Sequence, residues 1–209
     1  MTPERIYNMI CVSNYRTSGE DVQWTIANDP SERVIHLIFQ QSASKIDWKV
    51  NLDFPVRPYK QQKNTLFLHR GWADAWKSCN DEVMNALIAT VNLYKDYTVE
   101  IDGWSYGGAM SVIAAEDLHF RTGIKPDIVT FGAPNPLFGL KTFLYVKSCC
   151  GTVHQYAHVN DVVPLMPPVI GYCQVKKTKV GKGFSLIKLF KPQIYHCIYG
   201  ESSLYEDVK

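Results

Sequence analysis

Several features that would identify a class of protein are missing from this sequence of 209 residues. No stretch approaches the ~20 apolar residues of a membrane-spanning helix, so we expect no transmembrane segment. The six cysteines form no CxxC pair and show no regular spacing, which argues against a disulfide framework and against a zinc site. Residues 1–15 contain no long apolar run. We therefore expect no signal peptide and a cytoplasmic protein, although release by lysis or packaging in a particle would leave the same sequence.

A strong charge imbalance is also missing from the chain as a whole. The formal net charge is +2, so neither nucleic acid nor another polyanion is expected as a partner. Acidic residues are nevertheless absent from Val162 to Gly200, a stretch that contains Lys176, Lys177, Lys179, Lys182, Lys188 and Lys191. With 46% hydrophobic and 20% charged residues, the composition is ordinary for a soluble globular protein. The length predicts one domain, residues 1–209.

The most informative stretch runs from Gly103 to Gly108 and reads Gly-Trp-Ser-Tyr-Gly-Gly. Alternating β-branched residues before it predict a strand, and small apolar residues after it predict a helix that ends at Gly123. A serine on a sharp strand-to-helix turn is the nucleophile elbow of α/β-hydrolases. Side chains in place of Gly103 and Gly107 would collide with the neighbouring strand and helix. Ser105 is therefore the candidate nucleophile, and the backbone N–H of Tyr106 is a candidate oxyanion donor.

The remaining pattern predicts alternating strands and helices. Helices are predicted at Pro3–Asn14, Trp72–Tyr94, Ala109–Thr122 and Leu137–Val146, and strands at Val22–Ala27, Arg33–Phe39, Asn64–Arg70, Tyr97–Asp102, Asp127–Phe131 and Thr152–Val159. Turn residues between the first two strands indicate an antiparallel hairpin. The fold class is therefore α/β, with a mostly parallel central sheet covered by helices on both faces and an N-terminal antiparallel hairpin.

The sequence resembles the class 3 lipases, the fungal-lipase-like branch of the α/β-hydrolases. The matching blocks occur in the family's order and are Phe39–Phe54, His69–Trp72, Gly103–Gly108, Val129–Pro134 and Asn160–Pro164. They are similar to the family's Phe-Arg-Gly-Thr/Ser block, its His-x-Gly-Phe, its elbow, its Thr-Phe-Gly-x-Pro strand end and its acid-bearing Asn-Asp-x-Val-Pro. Gln40-Gln41 stands where the family usually has Arg-Gly. The resemblance implies a single-domain α/β-hydrolase.

The resemblance and the chain order predict a catalytic triad. In α/β-hydrolases the nucleophile is followed by the acid and then by the histidine. Asp161 stands in the acid-bearing block, and His196 is the only histidine after it. The predicted triad is therefore Ser105, Asp161 and His196, with His158 as the reserve candidate for the base.

The family resemblance also implies an oxyanion hole and a lid. Ser42 matches the family's oxyanion Thr/Ser and would act together with the Tyr106 N–H. The lid of the fungal members corresponds to residues 43–51, where Trp48 is the apolar group. Two interpretations stay open for this segment: a mobile lid, or a fixed surface turn with Trp48 packed inward. Trp48 and Trp104 are the candidate substrate-binding residues.

The resemblance implies a serine carboxylester hydrolase that acts on lipid esters and needs no metal and no organic cofactor. A soluble short-chain esterase, thioesterase or acyltransferase is the alternative among enzymes, because the same triad serves all of them. A non-catalytic binding protein on a lipase scaffold is the alternative from another class.

The basic stretch near the C-terminus predicts a β-hairpin over Tyr172–Phe190, with its turn at Gly181-Lys182-Gly183. One interpretation is a peripheral contact with an anionic lipid surface through Lys176, Lys177 and Lys179. The other is a solvated edge whose lysines prevent edge-to-edge pairing of strands.

Overall fold

The computed structural model describes residues 1–40, 55–61, 64–185, 192–206 and 208. Its helices are α1 (Pro3–Val12), α2 (Arg70–Leu93), α3 (Tyr106–Thr122), α4 (Leu140–Cys149) and α5 (Pro192–Tyr195), with 3-10 turns at Val163–Leu165 and Ser202–Tyr205. Its strands are β1 (Arg16–Ser18), β2 (Val22–Asp29), β3 (Val34–Phe39), β4 (Val56–Gln61), β5 (Asn64–His69), β6 (Thr98–Trp104), β7 (Asp127–Phe131), β8 (Leu137–Phe138), β9 (Val153–His158), β10 (Tyr172–Cys173) and β11 (Thr178–Val180).

The central sheet has the strand order β1-β2-β3-β6-β7-β9-β11 among the described residues. Its first two pairings, β1 with β2 and β2 with β3, are antiparallel. Every later pairing, from β3–β6 to β9–β11, is parallel. The predicted mostly parallel sheet with an N-terminal antiparallel hairpin is therefore confirmed. The parallel arrangement brings the carboxyl ends of β6, β7 and β9 to one edge, where ligands bind in open α/β sheets.

Helices cover both faces of this sheet. On one face α1 buries Ile6, Tyr7 and Ile10 against the sheet. On the other face α2 and α3 pack together, and α3 is buried from Tyr106 to Leu118. Small residues such as Ala109, together with Gly107 and Gly108, allow α3 to approach the strands closely. Within the described part of the chain, none of the helices has the length and apolar character needed to cross a bilayer.

A second, antiparallel sheet has the order β10-β8-β5-β4 among the described residues, and it corrects one prediction. The predicted helix Leu137–Val146 was wrong at its start, because Leu137 and Phe138 pair with β10 and the helix begins at Leu140. Within the predicted hairpin over Tyr172–Phe190, β10 pairs with β8, and β11 adds to β9 as a parallel strand. Residues 186–190, which belong to its second run, lie outside the described residues, so the pairing across the turn at Gly181-Lys182-Gly183 stays a prediction. Periodicity identified the strands, but the partner of a short strand depends on tertiary packing.

A buried polar cluster joins β3 to β6 beneath α1. His36 Nδ1 donates a hydrogen bond to Asp102 Oδ2 (2.7 Å) and lies 3.4 Å from Glu100 Oε1. Asp102 is completely buried and His36 is 1% exposed. A charged imidazole between two carboxylates satisfies groups that would otherwise be costly to bury unpaired.

This cluster predicts that the stability of the protein falls as the pH rises. Burial alone would lower the pKa of His36, but its hydrogen bonds with Asp102 and Glu100 outweigh burial and raise the pKa to about 9. A histidine with a raised folded-state pKa contributes stability that is complete below its unfolded pKa of about 6.5 and is lost as the pH rises through about 9. We expect the free energy of unfolding, measured with denaturant, to fall by up to about 3 kcal/mol between pH 6.5 and 9.

The matched variants for this prediction are Asp102→Asn and Asp96→Asn. Burial also raises the pKa of Asp102, against the lowering effect of His36, so this carboxyl group titrates in the same direction. Asp102→Asn removes this carboxyl group and one of the two carboxylates that raise the pKa of His36, so the pH dependence becomes shallower, whereas Asp96→Asn, at an exposed position, has no such effect. A wild-type stability that stays level from pH 6.5 to 9 contradicts the prediction.

Candidate active site

Ser105 stands alone between β6 and α3 in a strained backbone conformation. Its φ and ψ angles are 57° and −123°, and its N–H donates to Phe131 O (2.8 Å) at the end of the adjacent β7. A non-glycine residue in such a region costs on the order of 1–3 kcal/mol and is typical of functional sites. The strand–turn–helix context predicted for the elbow is confirmed.

Two glycines make this turn sterically possible. A Cβ atom on Gly103 would lie 2.3 Å from the carbonyl of Gly107, and a Cβ on Gly107 would lie 2.3 Å from Phe39 O. Both distances are far below van der Waals contact. The elbow therefore requires glycine at both positions, as the sequence predicted from crowding.

Asp161 and His196 form a hydrogen-bonded pair at the same edge of the sheet. His196 Nδ1 donates to Asp161 Oδ2 (2.8 Å). The same carboxylate oxygen accepts from Tyr199 Oη (2.7 Å), and Oδ1 accepts from the Val163 N–H (3.0 Å). Asp161 is 2% exposed, so these three donors replace the water that a carboxylate would otherwise bind. Their convergence fixes the carboxylate and, through it, the imidazole.

Tyr199 is well suited to this task because it remains a donor. Its side chain is fully buried. Burial, followed by the charge of Asp161, raises the pKa of the phenol well above its ordinary value. Tyr199 Oη also accepts a hydrogen bond from the His158 N–H (2.9 Å). The phenol thus ties the acid loop to the end of β9.

Two contacts hold His196 against the elbow. Trp104, the residue before Ser105, donates its Nε1–H to His196 O (2.9 Å), and the two rings lie 5.6 Å apart. Gly132 directly follows Phe131, the residue of β7 whose carbonyl accepts the Ser105 N–H. It lies against the His196–Asp161 pair. His196 Nε2 is buried and has no hydrogen-bond partner among the described residues. The free lone pair expected at Nε2 in the Nδ1–H tautomer is the feature a general base requires.

Gly132 is required for two independent reasons. Its φ angle is +57°, which favours glycine. A Cβ at this position would lie 2.8 Å from Asp161 Oδ2 and 2.8 Å from His196 Nδ1. Gly132 belongs to one of the blocks that resemble the family, but the sequence does not predict its contact with the histidine–aspartate pair. A glycine directly after a buried strand is the signal that could have indicated it.

Of the other predicted site residues, Tyr106 and Trp104 are described by the structure, and Ser42 and Trp48 are not. Tyr106 is the first residue of α3, so its backbone N–H lies at a helix N-terminus. Trp104 is 7% exposed and contacts the loop of the predicted base. Ser42 and Trp48 lie outside the described residues, so the oxyanion role of Ser42 and the two interpretations of the lid remain predictions.

The remaining histidines have packing partners. His158 Nδ1 accepts from the Asn160 N–H (3.1 Å), and its ring stacks on Tyr195. His69 stacks on Trp72 with the ring centroids 3.8 Å apart. Only His36, with its two carboxylates, belongs to a group of potential metal ligands within the described residues. Its Nδ1 is already bonded to Asp102 Oδ2.

Comparison with known proteins gives consistent matches. The family described as lipase (class 3) matches residues 36–171. A lipase from Rhizomucor miehei is 29% identical over 164 residues, which cover 75% of this chain and 44% of the relative. A secreted mono- and diacylglycerol lipase from Fusarium solani is 25% identical over 151 residues, which cover 70% of this chain and 44% of the relative. The chain therefore spans less than half the length of these curated relatives.

The fold is similar to a solved structure of the Rhizomucor miehei triacylglyceride lipase. The TM-score is 0.72 at 23% sequence identity, and the match covers 81% of this chain and 66% of that one. At this level of identity the likeness is evidence for the α/β-hydrolase fold.

The comparisons correct the predicted cytoplasmic location. The relative from Fusarium solani is a secreted enzyme, which points to an extracellular protein, and the prediction was wrong. It depended on the composition of residues 1–15 alone. Those residues form α1 and pack on the sheet, so their composition reflects that packing and carries no information about the compartment.

Gly132→Ala should disturb the site while leaving the fold intact. The added methyl group would displace His196 and Asp161, and a misplacement of about 1 Å costs on the order of 10²-fold in reactivity. We expect covalent labelling of Ser105 by a fluorophosphonate probe to slow by about that factor, measured by intact-protein mass spectrometry.

Gly139→Ala is the matched control for this variant. Gly139 has a φ angle of +82°, but a Cβ there meets no atom within 4 Å. Gly139→Ala therefore introduces backbone strain comparable to that of Gly132→Ala, but without a clash with neighbouring atoms. Equal labelling rates for the two variants would remove the proposed role of Gly132.

Proposed function

The chain belongs to the class 3 lipase family, and from this membership and the geometry of its site we propose that it is a serine carboxylester hydrolase acting on lipid esters. The observation that carries the proposal is the His196–Asp161 pair, which a hydrogen bond from Trp104 ties to the residue before a serine in the strained elbow conformation. Backbone strain of this kind at a non-glycine residue is typical of functional sites, which supports a catalytic role over a purely structural one.

In the proposed reaction Ser105 Oγ attacks the acyl carbon of the ester while His196 Nε2 accepts the hydroxyl proton. The resulting imidazolium donates that proton to the oxygen of the leaving alcohol as the tetrahedral intermediate collapses. Water then attacks the acyl-enzyme, again with His196 as the base, and the fatty acid is released. Asp161 keeps the Nδ1–H tautomer in place and stabilises the imidazolium, since its Oδ2 accepts the Nδ1 hydrogen bond.

We assign the oxyanion hole to the Tyr106 N–H together with the N–H and hydroxyl of Ser42. The position of Tyr106 at the start of α3 supports its part, because the helix dipole favours negative charge there. One such donor is typically worth about 2.7–4 kcal/mol of transition-state stabilisation.

Lipid esters are the proposed substrate class because both curated relatives described above are lipases. A short-chain esterase, thioesterase or acyltransferase would use the same residues. A panel of synthetic esters of increasing acyl length separates these activities, since only a lipase retains activity on long-chain, water-insoluble esters. The secreted relative supports a place of action outside the cell.

Ser105→Ala should abolish ester hydrolysis in a folded protein, with a fall in kcat of about 10⁴-fold or more. The kcat of His196→Ala should lie within about tenfold of the kcat of Ser105→Ala, because triad members act as a unit. His158→Ala should cost far less. Hydrolysis of a chromogenic ester provides the measurement, and circular dichroism verifies the folding of each variant.

Ser148→Ala is the control, since this exposed serine donates a hydrogen bond to the carbonyl of Tyr145 in its own helix and should leave hydrolysis unchanged. Full activity of pure Ser105→Ala would end the proposal. A larger loss of activity in His158→Ala than in His196→Ala would identify His158, and not His196, as the base.

We propose further that the segment after the acid meets an anionic lipid surface. Leu165, Ile170 and Phe184 are 50%, 99% and 62% exposed, which is unusual for large apolar side chains outside an interface. Lys176, Lys177 and Lys179 follow in the same segment, without a carboxylate between Val162 and Gly200. Each lysine near an anionic bilayer contributes about 1 kcal/mol of attraction.

A Lys176/Lys177/Lys179→Gln variant should bind anionic vesicles more weakly than the wild type. Added salt should weaken the binding of the wild type until it approaches that of the variant. The matched control is Lys95/Lys125/Lys147→Gln, which removes the same charge at the opposite edge of the sheet, before the amino ends of β6, β7 and β9. Vesicle sedimentation measures both. Equal losses in the two triple variants, or equal binding to neutral and anionic vesicles, would contradict the contact.

A further inference from the structure

A cavity of about 190 Å³ lies directly beside the acid of the proposed triad. Its walls come from the end of β9, from the turn after Asp161, from β11 and from Phe184. Asp161 is part of this lining. The same side chain accepts the hydrogen bond from His196 Nδ1. The cavity is therefore separated from the base by a single side chain.

Two lysines provide the positive charge of this cavity. Lys177 and Lys179 both line it, and they stand two residues apart on or next to the edge strand β11. Lys177 Nζ donates to Pro164 O (2.5 Å), which holds its ammonium group across the cavity toward the turn after Asp161. Burial, and then the charge of Lys179, lower the pKa of Lys177. Two cations are thus held close enough to repel each other.

The carboxylate in the lining offsets only part of this charge: Asp161 raises the pKa of Lys177, but burial and Lys179 lower it, and two ammonium groups face one carboxylate in the lining. Asp161 already accepts hydrogen bonds from His196, Tyr199 and the Val163 N–H. His158 also lines the cavity, and its Nδ1 accepts a hydrogen bond from the Asn160 N–H. A bound anion would relieve the repulsion between the two ammonium groups and complete their hydrogen bonding.

The other lining groups are apolar and extend to the surface. Pro164, Leu165 and Phe184 lie beside the lysines, and the last two are at least half exposed. A ligand that fits this lining has an anionic group next to hydrocarbon. We propose that the cavity binds the phosphodiester of a glycerophospholipid, with Lys177 and Lys179 as its ligands and Leu165 and Phe184 against the adjoining glycerol and acyl carbons.

This inference depends on the proposed function, because it names the head group that the hydrolase would select. An occupied cavity anchors the lipid beside Asp161, so the ester bonds of the same glycerol are held near the triad. Anionic phospholipids are then better substrates than neutral glycerides even when no membrane surface is present. That last property distinguishes a binding cavity from general attraction to a charged bilayer.

Binding is tested in the Ser105→Ala background, which excludes turnover. The probes are dihexanoyl phosphatidylglycerol below its critical micelle concentration, dihexanoylglycerol as the neutral analogue, and hexanoate, which represents a fatty acid product. Isothermal titration calorimetry should show the phosphatidylglycerol binding tenfold or more tightly than the other two. Lys177→Gln and Lys179→Gln should each reduce that preference at least severalfold, and Lys177→Arg should largely retain it.

The control variants are Lys95→Gln and Lys125→Gln, which change the net charge equally but lie at the opposite edge of the sheet. Unchanged binding in these variants, with loss in the cavity variants, supports the proposal. Equal effects in both pairs, or equal affinity for phosphatidylglycerol and dihexanoylglycerol, overturn it. Hexanoate binding as tight as the phospholipid would make this a carboxylate site and would also overturn it.

Hydrolysis of the same monomeric substrates by proteins that retain Ser105 separates this inference from the proposed function. If the protein hydrolyses both esters and the lysine variants leave the ratio of kcat/KM values unchanged, the cavity proposal fails and the hydrolase proposal stands. If neither ester is hydrolysed but the phospholipid still binds through Lys177 and Lys179, the hydrolase proposal fails and the cavity proposal stands.

Discussion

Backbone crowding at the carboxyl edge of the central sheet is the constraint on which the rest of the site depends. Ser105 adopts a positive φ because its turn leaves no room for side chains at Gly103 and Gly107. Gly132 brings the next strand end equally close to the histidine–aspartate pair. Removing Cβ atoms at these positions lets strands, helix and loops meet at contact distance. The nucleophile, the acid and the base can then occupy one edge.

A second constraint is the buried carboxylate of Asp161. A charge with 2% exposure is tolerated only when its oxygens are bonded, and here the imidazole, a phenol and a backbone N–H supply the donors. Two of these donors, His196 and Tyr199, come from the C-terminal segment, so the network also fixes that segment on the sheet. Tyr7 and Trp104 extend this attachment, since they bond to the carbonyls of Cys197 and His196. Stability and the geometry of the base thus depend on the same contacts.

The surface next to this network differs in character from the rest of the molecule. Exposed apolar side chains and lysines lie together in the segment that follows the acid, and carboxylates are absent from it. In the parallel sheet, β11 places Lys177 and Lys179 beside the end of β9. The basic strand β11, which the sequence predicted as part of a hairpin, thus forms part of the wall next to the acid. This position is the basis of the role proposed for the two lysines.

The sequence alone determined most of the longer strands and helices and the mostly parallel sheet, because these depend on local periodicity. The candidates Ser105, Asp161 and His196 followed from glycine positions, chain order and the family resemblance. Only the tertiary structure decided which carboxylate oxygen meets which donor, why Gly132 is needed, and where β10 and β11 pair. These facts join residues far apart in the chain. Short strands such as β8 and β10 carry too little local signal to specify a partner, so their pairing follows from the packing of the whole fold.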